Sequence, residues 1–294
     1  MMEVIKLGPG FAAEIRGVGM AEVAADEAVY AAVRAAFEEH SVLVFRKQPI
    51  TDELQLAYSR RFGPLETAKA ASRGEGTQFS ILTNVEPDGS LVKPGHKEEL
   101  RARANQLWHT DSCFKIPPAL ASVLSARTIP THGGETEFVS MRSAWQRLSP
   151  ELRARLDSAC AWHDYAHSRG KIAPHLASER ERSAMPPVSW RMRWRNPVNG
   201  RDALYIASHT YAIDGLSRED SLRLIDELTA LATQPEQIYQ HRWQAGDVVM
   251  WDNRATMHRG RPWPDDQPRY MIRTTITATD ADGLAAMWPQ RSAA

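Results

Sequence analysis

Apolar positions fall at helical spacing in a few stretches and in short continuous or alternating runs in many more. Val29, Val33 and Phe37 recur every four residues and predict a helix over 25–40. Val42-Leu43-Val44-Phe45 then reads as a short strand. Thr51 is placed to cap a helix that carries Asp52 and Glu53 in its first turn and stops at Gly63-Pro64. From Phe79 the texture turns strand-rich, with runs over 79–85, 120–129 and 136–139. A helical insert over 142–160 follows. A second helix over 218–233 has a capping-box pattern at Ser217 and Asp220 and a face of Leu222, Ile225 and Leu228. Strands resume over 238–243, 248–251 and 270–277. Many short strands around a few helices, without a strand–helix alternation, argue against a doubly wound parallel sheet. The pattern predicts a mainly β chain with peripheral helices, α+β in class: a sandwich or jelly roll. Two stretches, 86–104 and 167–187, read as long loops, and loops of that length often serve as mobile lids or binding segments.

Composition narrows the possibilities. A chain of 294 residues, 43% apolar and 24% charged, is long enough for one domain to bury about three quarters of its unfolded surface. Thirty-six basic residues balance thirty-six acidic ones, so no global field attracts nucleic acid or an anionic membrane. An anion bound here is held by local charges. Trp190 to Arg195 interleave aromatic and basic residues as some nucleic-acid surfaces do, but alternation explains this more simply, with Trp190, Met192 and Trp194 facing a core. Two cysteines, a start of Met1-Met2-Glu3 and the lack of any membrane-length apolar run fit a soluble cytoplasmic protein. Gly17-Val18-Gly19 lacks the third glycine of a dinucleotide fingerprint, and no Gly-x-Ser-x-Gly elbow occurs.

Chemistry concentrates in two places. Trp108-His109-Thr110-Asp111 sets an imidazole and a carboxylate two residues apart, on one face if the segment is a strand. Taken alone, such a pair is common and needs no metal. A third ligand, completing a facial triad of two histidines and one carboxylate, is available near the far end of the chain, in the run from Trp251 to Gly260 that contains His258. Arg269 and Arg273 follow, four residues apart, and share a face on an extended segment. Paired guanidinium groups on one face are costly to bury unless they meet anions, and they match carboxylates through two-pronged hydrogen bonds. Cys113 shares the face of Asp111 if the strand continues, although the triad is complete without it.

The runs Asn105 to Ser112, Gly133 to Phe138 and Gly246 to Arg259 resemble the taurine dioxygenase superfamily, and within it the aryloxyalkanoate dioxygenases. The resemblance extends from Gly17 to Arg273. It implies a double-stranded β-helix, a jelly-roll variant, with His109, Asp111 and His258 holding Fe(II). It implies that Thr136 and Arg269 hold 2-oxoglutarate, that Arg273 meets the substrate's anionic group, and that His209 and Lys69 lie at the substrate pocket. O2 is the co-oxidant. The carboxylate at position 111 disfavours halogenation, because related halogenases carry a small residue there. The implied reaction hydroxylates a small anionic organic substrate, foremost an aryloxyalkanoate. Hydroxylation beside the ether oxygen gives a hemiacetal that collapses to a phenol and an oxo acid, with succinate and CO2 as co-products. The alternatives are the same chemistry on an alkyl sulfonate, a sulfate ester or another carboxylate. A metal-dependent hydrolase or a non-catalytic jelly-roll protein is a further reading, against which Thr136 and Arg269 argue. The 86–104 stretch, with Lys93 and Lys97, aligns poorly, so the substrate is less fixed than the reaction. The expected partners are the substrate and further copies of the chain.

Overall fold

The apolar runs become the strands of two main sheets in a computed structural model that describes residues 1–289. Seven strands form the larger sheet, in the order Glu3–Leu7, Ala12–Arg16, Val42–Phe45, Val248–Asp252, Ala119–Thr128, Tyr270–Thr277 and Ser80–Thr83. Ala12–Arg16 runs parallel to Val42–Phe45, and the other pairings in this sheet are antiparallel. Ile238–His241, Thr136–Ser140 and Thr256–Gly260 form an antiparallel three-stranded sheet. Two smaller sheets, of three and two strands, complete a mixed α+β architecture.

Strand periodicity explains why Val42–Phe45 is continuously apolar. Leu43 and Phe45, with Val248 and Met250, pack toward Val33, Phe37, Tyr58 and Phe62 of helices Glu27–His40 and Asp52–Phe62. Val42 and Val44, with Val249 and Trp251, face the other way and meet Phe138 and Tyr239 of the three-stranded sheet. Both faces of these strands are therefore buried, which removes the alternation a half-exposed strand would show. Each such side chain contributes about 1.5–3 kcal/mol through burial. A third cluster joins Trp145, Met192 and Ile213 to helix Arg218–Ala232.

Several expected elements are divided or shifted. The helix expected over 25–40 is Glu27–His40, whose cap Asp26 accepts hydrogen bonds from the backbone N–H groups of Ala28 and Val29, and a separate short helix, Met20–Ala25, precedes it. The insert expected over 142–160 is two helices, Met141–Arg147 and Pro150–Leu156. Pro150 lies in the first turn and holds the preceding backbone out of the helical region. Cys160 already begins the strand Cys160–His163. In the last long helix Leu224 joins Ile225 and Leu228 on the buried face, while Leu222 is only half-buried. Trp190, Met192 and Trp194 are all buried as expected, but a bend at Met192 sends it to a different cluster from the two tryptophans.

The two stretches read as loops contain helices. Lys97–Ala104 lies in the first, capped by His96, and its sequence KEELRARA has too little apolar surface to signal a helix by periodicity. In the second, Glu179–Ala184 is closed by a capping box between Ser178 and Glu181, and Tyr165–Gly170 overlaps its start.

A buried charge cluster locks helix Glu27–His40 to the turn that precedes strand Thr256–Gly260. Arg254 Nε lies 2.9 Å from Asp252 Oδ1, and its Nη2 lies 2.8 Å from Glu38 Oε2. Asn196 Nδ2 donates to Glu38 Oε2 at 2.6 Å, and Arg142 Nη2 lies 3.3 Å from Asp252. Burial opposes ionisation of Glu38, but Arg254, Arg34 and Asn196 outweigh it and hold the carboxyl below its usual value of 4.5. With the folded value below the unfolded one, the contribution of Glu38 is complete above about pH 4.5 and fades as pH falls below it. Arg254→Ala removes the cation shared by two buried carboxylates, leaving Asp252 with Arg142 alone and Glu38 with Arg34 alone. It is expected to lower unfolding free energy by about 3–5 kcal/mol, read by urea denaturation at neutral pH; an unchanged midpoint and slope would refute the cluster's role.

Candidate active site

The two chemistry-bearing segments meet through their backbones. His109 N donates to His258 O at 2.9 Å, and His258 N donates to His109 O at 2.7 Å, a single antiparallel bridge between segments 149 positions apart. Gly260 N donates to Asn105 O at 2.9 Å and extends the contact. The histidine rings consequently lie 4.2 Å apart, with His258 also packed at 4.6 Å against Trp251.

His109 and Asp111 share a direction, but not because they lie on a strand. Pairing stops at the single bridge, and Ser112 takes a left-handed conformation at φ 53°. Asn253 fixes the turn: its Oδ1 accepts from Asp111 N at 3.1 Å, and its backbone carbonyl accepts from Thr110 Oγ1 at 2.7 Å. The break also removes Cys113 from the site. Cys113 is buried in the main core, where its carbonyl accepts from Trp190 Nε1, and burial pushes its thiol well above the usual range.

His109 Nε2 lies 3.9 Å from Asp111 Oδ1, and His258 Nε2 lies 3.7 Å from Asp111 Oδ2. One donor atom from each of the three residues lies within 4.8 Å of the others, and all three residues are buried. His109 Nδ1 lies 2.7 Å from the Leu107 carbonyl, an acceptor that puts the ring proton on Nδ1 and leaves the Nε2 lone pair free. Burial holds both imidazoles below the usual histidine range, that is, neutral. Burial works against the Asp111 carboxylate, yet Arg273, His258, His109 and the Ser122 hydroxyl together keep its pKa far below normal. Two neutral imidazoles and an ionised carboxylate are the donor set a divalent transition metal requires.

All eight residues singled out in the sequence line one cavity of about 180 Å³: Lys69, His109, Asp111, Thr136, His209, His258, Arg269 and Arg273. Thr136 begins the strand paired with Thr256–Gly260, and its hydroxyl oxygen accepts from Trp243 Nε1 at 3.0 Å. The hydroxyl proton is thereby left to donate elsewhere. Arg269 precedes strand Tyr270–Thr277, is 7% exposed and stands 5.0 Å over the Trp263 ring. Its Nε has no partner, and burial alone lowers its pKa to about 10. Gly134 beside it takes a left-handed φ of 70°, a conformation that favours glycine.

The three substrate candidates differ in their engagement. Arg273 Nη1 donates to Asp111 Oδ1, while its Nε is buried and unpartnered. Lys69 Nζ donates to Tyr165 Oη and lies 3.7 Å from Glu181, a carboxylate that Arg101 approaches more closely; burial and then the charge of Arg169 hold the Lys69 pKa well below the usual lysine value. His209 is 2% exposed with both ring nitrogens unpartnered, 6.2 Å from the His109 ring and 4.7 Å from the Phe114 ring. Burial, followed by the charge of Arg169, keeps His209 neutral.

Several residues at the site escaped the sequence reading. Ser122 donates to Asp111 Oδ2 at 2.7 Å and accepts from Asn253 Nδ2 at 3.0 Å. Phe114 and Arg169 line the cavity. Asn253 stands inside the quoted Trp251 to Gly260 run and was open to notice. Ser122 carries no local signal, because its role depends on the pairing of Ala119–Thr128 with Val248–Asp252.

A buried two-histidine, one-carboxylate donor set beside a buried, unpaired arginine defines a metal-dependent enzyme that takes an anionic co-ligand. A family model described as taurine catabolism dioxygenase TauD, TfdA family, matches residues 3–275. The chain belongs to this family and is an Fe(II)- and 2-oxoglutarate-dependent dioxygenase, an oxidoreductase. It is 39% identical over 280 residues to the alpha-ketoglutarate-dependent 2,4-dichlorophenoxyacetate dioxygenase of Cupriavidus pinatubonensis, covering 94% of this chain and 97% of that one. It is 35% identical over 291 residues to the (S)-phenoxypropionate/alpha-ketoglutarate-dioxygenase of Sphingobium herbicidovorans, covering 96% and 97%. Among solved structures, AAD-2 in complex with Mn(II) and N-oxalylglycine is similar at a TM-score of 0.87 and 34% identity, over 95% of this chain and 98% of that one.

Replacing His109, Asp111 or His258 with Ala is expected to abolish succinate formation and to weaken Fe(II) retention in equilibrium dialysis. A variant that keeps wild-type turnover at limiting iron would remove that residue from the donor set.

Proposed function

We propose that this dioxygenase hydroxylates an aryloxyalkanoate carboxylate beside its ether oxygen. The products are a phenol, an oxo acid, succinate and CO2. For an aryloxyacetate the balance is one substrate, one 2-oxoglutarate and one O2 giving one phenol, one glyoxylate, one succinate and one CO2. His109, Asp111 and His258 hold Fe(II), which supplies O2 activation with 2-oxoglutarate as the reductant. Arg269 pairs with the distal carboxylate of 2-oxoglutarate, and the Thr136 hydroxyl donates its free proton to a carboxylate oxygen of the same molecule. Ser122 and Asn253 hold Asp111 in its direction. Arg273 serves two partners: Nη1 anchors Asp111, and its remaining edge meets the substrate's anionic group. His209 and Lys69 belong to the substrate wall.

The observation that carries the reading is the His109–Asp111–His258 donor set sharing one cavity with the unpaired, buried guanidinium of Arg269. A hydrolase has no use for that second feature. The likeness to relatives named for phenoxy acids supports the substrate. The facing seven- and three-stranded sheets support a double-stranded β-helix in a single domain. Free thiols at Cys113 and Cys160 support a reducing, cytoplasmic setting.

The test is a succinate-release screen across aryloxyalkanoates, alkyl sulfonates and sulfate esters at fixed Fe(II) and 2-oxoglutarate. The aryloxyalkanoates are expected to stimulate release most, with stoichiometric phenol; strongest stimulation by a sulfonate or sulfate ester would overturn the substrate assignment. Arg269→Ala is expected to raise the KM for 2-oxoglutarate by roughly 30-fold or more, the loss of one buried charged partner, with a much smaller change for the primary substrate. An unchanged KM for 2-oxoglutarate would take Arg269 out of the cosubstrate site.

A further inference from the structure

One cation at the cavity has neither a role in the proposed reaction nor a carboxylate partner among the described residues. Arg169, at the end of the helix Tyr165–Gly170, is 7% exposed and lines the cavity with His209 and Phe114. Its Nε is buried without a hydrogen-bond partner. Its guanidinium stands 4.7 Å over the Tyr165 ring, the same ring that Lys69 Nζ approaches at 4.1 Å.

Apart from Arg269, assigned above to 2-oxoglutarate, the other cations lining the cavity each lie within ion-pair distance of a protein carboxylate. Arg101 pairs with Glu98 and Glu181 at 2.7 and 3.0 Å, Lys69 shares Glu181, Lys115 lies 2.8 Å from Glu66, and Arg273 is engaged by Asp111. Arg169 forms no ion pair with any carboxylate of the described residues. A guanidinium does not lose its proton to escape burial, so an unbalanced one is stable only where an anion arrives or where its stacking suffices. Contact with an aromatic face offsets part of that cost but leaves the charge in place.

We infer that Arg169 is a specificity-determining residue that receives the anionic group of the primary substrate, a carboxylate or a sulfate, from the His209 and Phe114 side of the cavity. This deepens the proposed function and rests on it. Arg273, already partly neutralised by Asp111, orients the anion near the metal donors. Arg169 supplies the uncompensated positive charge that makes the cavity prefer an anion to its neutral analogue. The Phe114 ring and neutral His209 provide the apolar wall beside that charge, as an aryl or alkyl tail requires.

The test uses the anaerobic Fe(II)–2-oxoglutarate complex of the full chain and follows the change in its weak visible absorption on ligand titration. Wild type, Arg169→Met and Arg169→Lys are titrated with phenoxyacetate against phenoxyacetamide, and with hexyl sulfate against hexanol. Arg169→Met is expected to lose about 10- to 100-fold in affinity for the preferred anion, the range of one charged hydrogen-bonded pair, with the neutral analogue unchanged. Arg169→Lys is expected to recover part of the loss. The absorption before ligand addition, and the 2-oxoglutarate affinity, are expected to match wild type in both variants, which also reports folding. The two pairs separate a carboxylate from a sulfate as the anion. An Arg169→Met variant that keeps the wild-type anion-to-neutral ratio, or loses both members of a pair equally, overturns the inference while the dioxygenase reading stands. A wild type that forms no such complex overturns both.

Discussion

Two reciprocal backbone hydrogen bonds, His109 N to His258 O and His258 N to His109 O, are the constraint on which the site depends. They close a loop of 149 positions at one residue pair and bring the rings to 4.2 Å. Side chains alone would not define this approach, because each imidazole has rotamers that point elsewhere. The bridge is in turn held from both ends. On one side His258 continues the strand paired with Thr136–Ser140. On the other, Asn253 ties the turn around Asp111 to the strand that carries Trp251.

Electrostatics then separates the cavity from the rest of the molecule. The chain has no net charge, yet burial gathers Arg269, Arg273 and Arg169 around one space of about 180 Å³. Neutral imidazoles and the ionised carboxylate of Asp111 face that space. The division of labour follows from which guanidinium has a protein partner. Arg273 is tied to Asp111, whereas Arg269 and Arg169 have no carboxylate among the described residues. A cavity of this kind attracts two anions without any global field to steer them, and its selectivity comes from contact rather than long-range attraction.

Much of this was legible along the chain. The runs that became Val42–Phe45, Val248–Asp252 and Tyr270–Thr277 were visible because burial on one or both faces leaves a short-range apolar pattern. Helix Asp52–Phe62 was bounded by its cap Thr51 and by Gly63-Pro64, both local signals. Where the local signal is weak, the reading failed. Five of the eight residues of Lys97–Ala104 are charged, and Pro150 divides a stretch that had read as one helix.

The sequence by itself determined the donor types, since a His-x-Asp pair, a distant histidine and two arginines four apart are chemistry written in residue identity. It also determined the mixed α+β class, through strand-length apolar runs without helix alternation. Only the tertiary structure decided how Asp111 comes to face His109, through a turn held by Asn253 rather than a shared strand face. It alone decided that Cys113 belongs to the core, that Ser122 reaches Asp111, that Lys69 lies beside Glu181 and that Arg169 is left without a carboxylate. The physical reason is range. Periodicity and capping act over a few residues, whereas the charge state and partners of a buried side chain depend on groups brought close by pairing strands far apart in sequence.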